Sequence, residues 1–296
     1  MPFKRSMISV STSSMWRQSN RTMKQSVAIV QRDIAWSDWK ANAKSIRALV
    51  AELACDISAG RKPKVDLIIF SEMFMTGFVT DPEKIADRDG RNISLMIDIA
   101  RELDAAVVGS VIVERDKEYR NRMYLITPDA DVLWYDKHHL FSIGGEAEKF
   151  TAGEERTVIE WRGVRYLMEV CYDLRFPVWS RQRGDYDAII YSALWPKARR
   201  EVWRTLLRAR AMENQAYVFG VNRIGAEPTL EYAGDSMAVD YRGDVMADCG
   251  DEATVAIVEI DLEKQEAFKE RFDVARDADD FIITELKDYD GVVAEY

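Results

Sequence analysis

Apolar and polar positions follow two rhythms along this chain, and the switches between them mark its elements. VAIVQ (27–31) is a short apolar run that predicts a buried strand. Beyond it Ile46, Leu49, Ala51, Leu53 and Ala54 recur at helical spacing, which predicts a helix beginning near Ser37 as its N-cap. Pro63 precedes VDLIIF (65–70), a second short apolar strand. ISLMIDIAREL (93–103) has the pattern of a helix and AAVVGSVIV (105–113) that of a strand. MYLITP and VLWYD, separated by DAD, predict an antiparallel hairpin over 123–136.

After a polar, glycine-containing loop the pattern resumes. TVIEW and VRYLMEV flank the turn dipeptide RG, and the second of these runs straight into Cys171. DAIIYSA (187–193) predicts a strand, 200–214 a helix and AYVFGVN (216–222) another strand. DSMAVD, a YRGD turn, VMA and TVAIVEIDL (254–262) predict antiparallel strands before a charged final helix. Neither a Gly/Ser linker nor a sequence repeat interrupts the series, so residues 25–296 are expected to form one domain. The mixture of hairpins and βα units predicts an α/β protein with paired sheets and helices outside them.

Composition narrows the function classes. A chain of 296 residues with 47% hydrophobic content can bury a large core. Its formal charge of −10 and lack of a long basic block argue against nucleic acid as a partner. No apolar run approaches the eighteen or so residues that a membrane span requires, so no membrane partner is expected. Cysteines at 55, 171 and 249 are too few and too far apart for a disulfide scaffold or a closed zinc site. Two histidines, adjacent at 138 and 139, supply no His/Cys ligand set, and composition leaves room only for an all-carboxylate magnesium site. Residues 1–24 carry Lys4, Arg5, Arg17, Arg21 and Lys24 without an acidic residue. That composition fits an organelle transit peptide or a disordered tail equally. The expected location is the cytoplasm, or a mitochondrion or other organelle if the segment is a targeting peptide.

Three polar residues stand directly behind apolar runs. Glu72 follows VDLIIFS, Lys137 follows VLWYD and Cys171 follows YLMEV. If these strands share a sheet rim, an acid, an ammonium and a thiol meet where α/β scaffolds carry their chemistry. Each taken alone has an ordinary alternative: a turn cap, a solvated lysine, a core cysteine.

Four longer segments, SEMFMTGF, YDKHHLF, CYDLRFPVWSR and ARAMENQAYVFGVNR, occur in an order that resembles the nitrilase superfamily of carbon–nitrogen hydrolases. The resemblance covers about 26–283 and is strongest to the omega-amidase branch, which includes 2-oxoglutaramate amidases. It implies a four-layer αββα sandwich, a homodimer, no cofactor, and a Glu-Lys-Cys triad that maps onto Glu72, Lys137 and Cys171. A second family glutamate maps onto Glu146, with Glu148 as the alternative in GGEAEKF.

These residue types suit amide hydrolysis without histidine. A carboxylate that takes the thiol proton makes Cys171 a nucleophile. The oxyanion formed by attack could be held by Lys137 and the backbone N–H of Tyr172. Glu72 would pass its proton to the departing amine and then activate water against the thioester. Arg175, four residues beyond the thiol, suits a substrate carboxylate, with an ion pair to Asp173 or another loop carboxylate as the structural alternative. Phe78, Met75 and Trp195 are expected to line an apolar pocket, whereas Glu213, Asn214 and Gln215 read as helix-end scaffolding. The expected substrate is the terminal amide of a short 2-oxo dicarboxylic acid monoamide, 2-oxoglutaramate or 2-oxosuccinamate, with water. Nitriles and N-carbamoyl amino acids are the rival substrates for the same triad. A non-enzymatic interaction protein need not keep all three residues, as this chain does.

Overall fold

In the first strand, β1 (Lys24–Gln31), Val27 and Ile29 join one hydrophobic core while Ala28 and Val30 join another. Successive side chains leave opposite faces of a strand, so β1 is covered on both sides. That is why its sequence is a continuous apolar run. The structure, a computed structural model, describes residues 24–283. Of the expected N-terminal extension, 1–24, only Lys24 lies within the described residues, where it opens β1.

From β1 the chain passes through α1 (Trp39–Ser58), β2 (Leu67–Ile69), α2 (Arg91–Leu103), β3 (Ala106–Arg115), β4 (Glu118–Ile126) and β5 (Val132–Asp136). It continues as β6 (Val158–Trp161), β7 (Val164–Val170), α3 (Pro177–Ser180), β8 (Ala188–Ser192), α4 (Arg200–Asn214) and β9 (Tyr217–Val221). Then come β10 (Ile224–Glu227), β11 (Leu230–Ala233), β12 (Met237–Val239), β13 (Val245–Asp248), β14 (Thr254–Asp261) and α5 (Leu262–Arg271).

Two six-stranded sheets result, with orders β14-β1-β2-β3-β4-β5 and β13-β12-β9-β8-β7-β6. In the first, β1, β2 and β3 are parallel and the outer strands antiparallel; in the second, β7, β8 and β9 are parallel with the same flanking pattern. The architecture thus repeats a topology that the sequence does not repeat.

The sheets pack face to face. Val27, Ile29, Leu67, Ile69 and Val108 share a core with Tyr166, Met168 and Val170 of the second sheet. Two hydrogen bonds cross between them, from the Tyr166 hydroxyl to Gln25 Oε1 at 2.8 Å and from Ser192 Oγ to the Phe70 carbonyl at 2.8 Å. On the outer face of the first sheet, Ile46 and Val50 of α1 and Met96 and Ile99 of α2 cover Val30, Ile68 and Val107. On the outer face of the second, α4 approaches so closely that a Cβ on Gly220 would stand 2.4 Å from Leu207 and 2.8 Å from Trp203. Helix, sheet, sheet, helix is the four-layer αββα sandwich expected of the chain. Among the described residues no helix is long and apolar enough to cross a membrane.

One boundary differs from expectation. The α1 N-cap is Asp38, whose carboxylate accepts from Ala41 N at 2.9 Å, and not Ser37. Ser37 is drawn into a left-handed conformation (φ 57°) by donating its N–H to the Thr76 carbonyl, which shifts the cap by one residue.

Candidate active site

Glu72 lies just beyond the C-terminal end of β2, Lys137 directly after β5 and Cys171 directly after β7. Sheet packing brings all three to one rim. The Lys137 Nζ is 2.9 Å from Glu72 Oε1 and 2.8 Å from Glu146 Oε2, and all three side chains are at most 1% exposed. Each carboxylate oxygen has a donor. Asn121 Nδ2 reaches Glu72 Oε1 at 2.7 Å and Glu146 Oε1 at 2.9 Å; Leu194 N donates to Glu72 Oε2 at 2.9 Å and Phe141 N to Glu146 Oε2 at 2.7 Å. Complete hydrogen bonding is what makes two buried carboxylates around one ammonium tolerable. Burial works against the Lys137 charge, but Glu146 and then Glu72 outweigh it and hold its pKa well above the ordinary lysine value.

Cys171 occupies the junction between β7 and a single 3-10 turn, Cys171–Arg175, with φ at 47°. A side chain with a Cβ resists that conformation, so the turn must be held from outside. Asp173 does so, accepting from Val170 N at 2.9 Å and from the Tyr135 hydroxyl at 2.8 Å. The thiol stands 3.8 Å from the Leu194 carbonyl and beside Glu72. Burial, followed by the Glu72 charge, pushes the thiol pKa well above its usual value; the Lys137 ammonium acts in the opposite direction and is outweighed. The proton therefore stays on sulfur until a base removes it.

A cleft opens above these groups, with Phe78, Trp195, Leu230 and Tyr232 in its walls. The Arg175 guanidinium lies over the Trp195 ring, 5.1 Å from its centroid, and that of Arg199 over Phe141 at 5.4 Å. Tyr172 also lines the cleft. Its N–H lies in the first turn after β7, where backbone N–H groups lack an intrahelical acceptor.

Two expectations need correction. Met75 does not line the cleft: it is fully buried in the core between the first sheet and α1 and α2, and its carbonyl accepts from Asn42 Nδ2 at 3.0 Å. Asp173 does not pair with Arg175, because its two oxygens are taken by Val170, Tyr135 and His139. Of the two glutamates in GGEAEKF, Glu146 meets Lys137 while Glu148 is exposed. Asn214 and Gln215 act at the end of α4, Asn214 Nδ2 bonding the Arg210 carbonyl and Gln215 capping the helix in a left-handed conformation.

Asn121, Leu194 and Arg199 are among the site residues that sequence reading missed, as are Phe141, Leu230 and Tyr232 of the cleft wall. Asn121 had a signal: it stands in phase with Met123 and Leu125, which face the core, so a polar side chain was being sent inward. Leu194 contributes only backbone atoms to Glu72 and Cys171, and Arg199 sits in a basic run, so neither left a mark.

Residues 26–270 match the sequence model of the carbon-nitrogen hydrolase family. The omega-amidase YafV of Yersinia enterocolitica is 39% identical over 259 residues, covering 87% of this chain and 98% of that protein. The 2-oxoglutaramate amidase of Bacillus subtilis is 31% identical over 261 residues, covering 86% and 98%. The crystal structure of XC1258 from Xanthomonas campestris, a CN-hydrolase superfamily protein with an arsenic adduct in its active site, superimposes with a TM-score of 0.83 at 35% identity, covering 88% of this chain and 99% of that one.

Proposed function

This chain belongs to the carbon-nitrogen hydrolase family, and from that premise we propose that it hydrolyses the terminal amide of a short 2-oxo dicarboxylic acid monoamide, 2-oxoglutaramate or 2-oxosuccinamate, through a Cys171 thioester. One observation carries the catalytic assignment: Glu72 shares its buried carboxylate between the Lys137 ammonium and the neighbourhood of the thiol. A single ammonium stands between the Glu72 and Glu146 carboxylates, and Glu72 is the one of the two beside the thiol.

The steps follow from those contacts. Glu72 removes the thiol proton as sulfur attacks the amide carbonyl. The resulting oxyanion is met by Lys137 and Tyr172 N–H. Lys137 has three N–H donors and gives one each to Glu72 and Glu146, which leaves one for the cleft. Protonated Glu72 then donates to the amide nitrogen, the C–N bond breaks and ammonia leaves. Water enters, Glu72 takes its proton, hydroxide adds to the thioester, and the C–S bond breaks with the proton returned to sulfur. The sum is amide plus water giving acid plus ammonia, with Glu72 and Cys171 restored.

Glu146 orients Lys137. Arg175, whose guanidinium lies over the Trp195 ring, meets a carboxylate at the far end of the substrate in this reading, with Phe78 and Trp195 beside the chain between. A homodimer and a cytoplasmic location complete the reading. Rates measured side by side with 2-oxoglutaramate, a short aliphatic nitrile and an N-carbamoyl amino acid test it. The 2-oxo amide is expected to be turned over with the highest kcat/KM, and a preference for either rival would move the protein to another branch of the family.

A further inference from the structure

The cleft carries more positive charge than the chemistry of the thiol requires. Lys137 is balanced by Glu72 and Glu146, but Arg175 and Arg199 have no carboxylate partner among the described residues. Their neighbours do. Arg200 and Arg204 pair with Asp235 at 2.8 and 2.9 Å, and Arg223 pairs with Asp33 and Glu227 at 2.7 and 3.2 Å. In a chain of net charge −10, two guanidinium groups left unpaired on one apolar-walled cleft form a site for an anion.

The two are also built into one frame. Trp195 supports Arg175 with its ring face and donates its Nε1–H to the Arg199 carbonyl at 2.9 Å. The Arg199 guanidinium rests on Phe141, whose own N–H is fixed by Glu146. A β-bridge between Pro196 and Tyr232 and the Lys197–Glu231 pair at 3.2 Å stitch the Arg199 segment to β11. A guanidinium that lies over a ring keeps N–H donors for an anion, and its planar fork matches a carboxylate. The segment from Leu194 to Arg199 thereby connects the carboxylate at the thiol to the mouth of the cleft.

We propose that Arg199 is a second specificity-determining residue, which shares with Arg175 the substrate carboxylate opposite the scissile amide. The proposal rests on the amidase reading above and adds to it that the cleft selects carboxylate-bearing amides by two guanidinium groups. A neutral amide of the same length would leave both arginines without a partner.

The test compares kcat and KM for 2-oxoglutaramate, succinamate and butyramide in the wild type, Arg175→Met, Arg199→Met, Arg199→Lys and the double methionine variant, with thermal melts of each. In Arg199→Met the ratio of kcat/KM for succinamate to that for butyramide is expected to fall roughly tenfold or more, chiefly through KM, with partial recovery in Arg199→Lys. Two residues on one carboxylate should also be coupled, so the double variant should lose less than the product of the single losses. An unchanged ratio in Arg199→Met, or equal losses on both substrates with a lowered Tm, overturns the proposal. A wild type that cleaves succinamate but not 2-oxoglutaramate would instead overturn the 2-oxo assignment, and the succinamate ratio would still decide the role of Arg199.

Discussion

Asp173 holds His139 at two points: its Oδ1 accepts the His139 backbone N–H at 2.9 Å and lies 2.8 Å from the ring Nδ1. The contact ties the turn that carries Cys171 to the loop that carries Lys137. Its other oxygen takes the Tyr135 hydroxyl, on the strand leading to Lys137, and Val170 N, next to the thiol. Stacking of His139 on Phe176 at 3.8 Å and of His138 on Trp179 at 3.7 Å closes the joint.

Asp173→Ala should therefore act on stability and rate together. Several buried donors lose their acceptor, which is expected to cost about 3 kcal/mol. The strained turn at Cys171 also loosens, so kcat should drop more than KM rises. Thermal melts and steady-state kinetics check this. A variant with wild-type Tm and kcat would show that the joint does not position the thiol.

Asn121 gives a sharper case, since one amide group serves both carboxylates. Asn121→Ala removes a donor from Glu72 and from Glu146, and a loss of about 2 kcal/mol in stability with a fall of roughly tenfold or more in kcat/KM is expected. Asn121→Asp should be worse, because it sets a third carboxylate around one ammonium. Equal behaviour of the two variants in melts and assays would contradict this electrostatic account of the cluster.

The pH profile should show a thiol that reacts from its protonated form. Burial and Glu72 raise the Cys171 pKa, which means that the proton is retained to higher pH than on an ordinary thiol. A mechanism limited by thiolate formation would gain about tenfold per pH unit up to the thiol pKa, ordinarily about 8.5. With Glu72 removing the proton during attack, kcat/KM is expected to stay level between about pH 7 and about pH 9. A steady rise across that interval, or rescue of Glu72→Gln by alkali, would place the thiolate before attack.

Much of this was legible in the sequence, for identifiable reasons. β1, β2 and β7 are buried on both faces, so they appear as apolar runs, and the residue that ends each run is conspicuous. Cys171 is a polar group immediately behind such a run, Glu72 follows β2 after Phe70 and Ser71, and Lys137 follows the half-buried edge strand β5. Their meeting was not legible from spacing, because strand order within the first sheet brings Glu72 and Lys137 together and the packing of the two sheets brings Cys171 to them. The β10–β11 hairpin was missed because its strands are short and bury only Tyr232 and Ala233, without alternation. Met75 misled for the opposite reason: it lies between Glu72 and Phe78, yet the turn after β2 sends it to the helical side of the sheet. Arg199 was hidden in KARRE, where nothing distinguishes an arginine on the cleft from Arg200, which pairs with Asp235.

The central claim is that the acyl group passes through Cys171, and the most direct measurement is acid quenching during turnover of 2-oxoglutaramate, followed by peptide mapping by mass spectrometry. The account predicts an acyl adduct on the peptide containing Cys171, labile to hydroxylamine as a thioester is, and absent from Cys171→Ala and from the peptides with Cys55 and Cys249. Turnover that persists in Cys171→Ala, or an adduct on another residue that forms and decays at the catalytic rate, would contradict it.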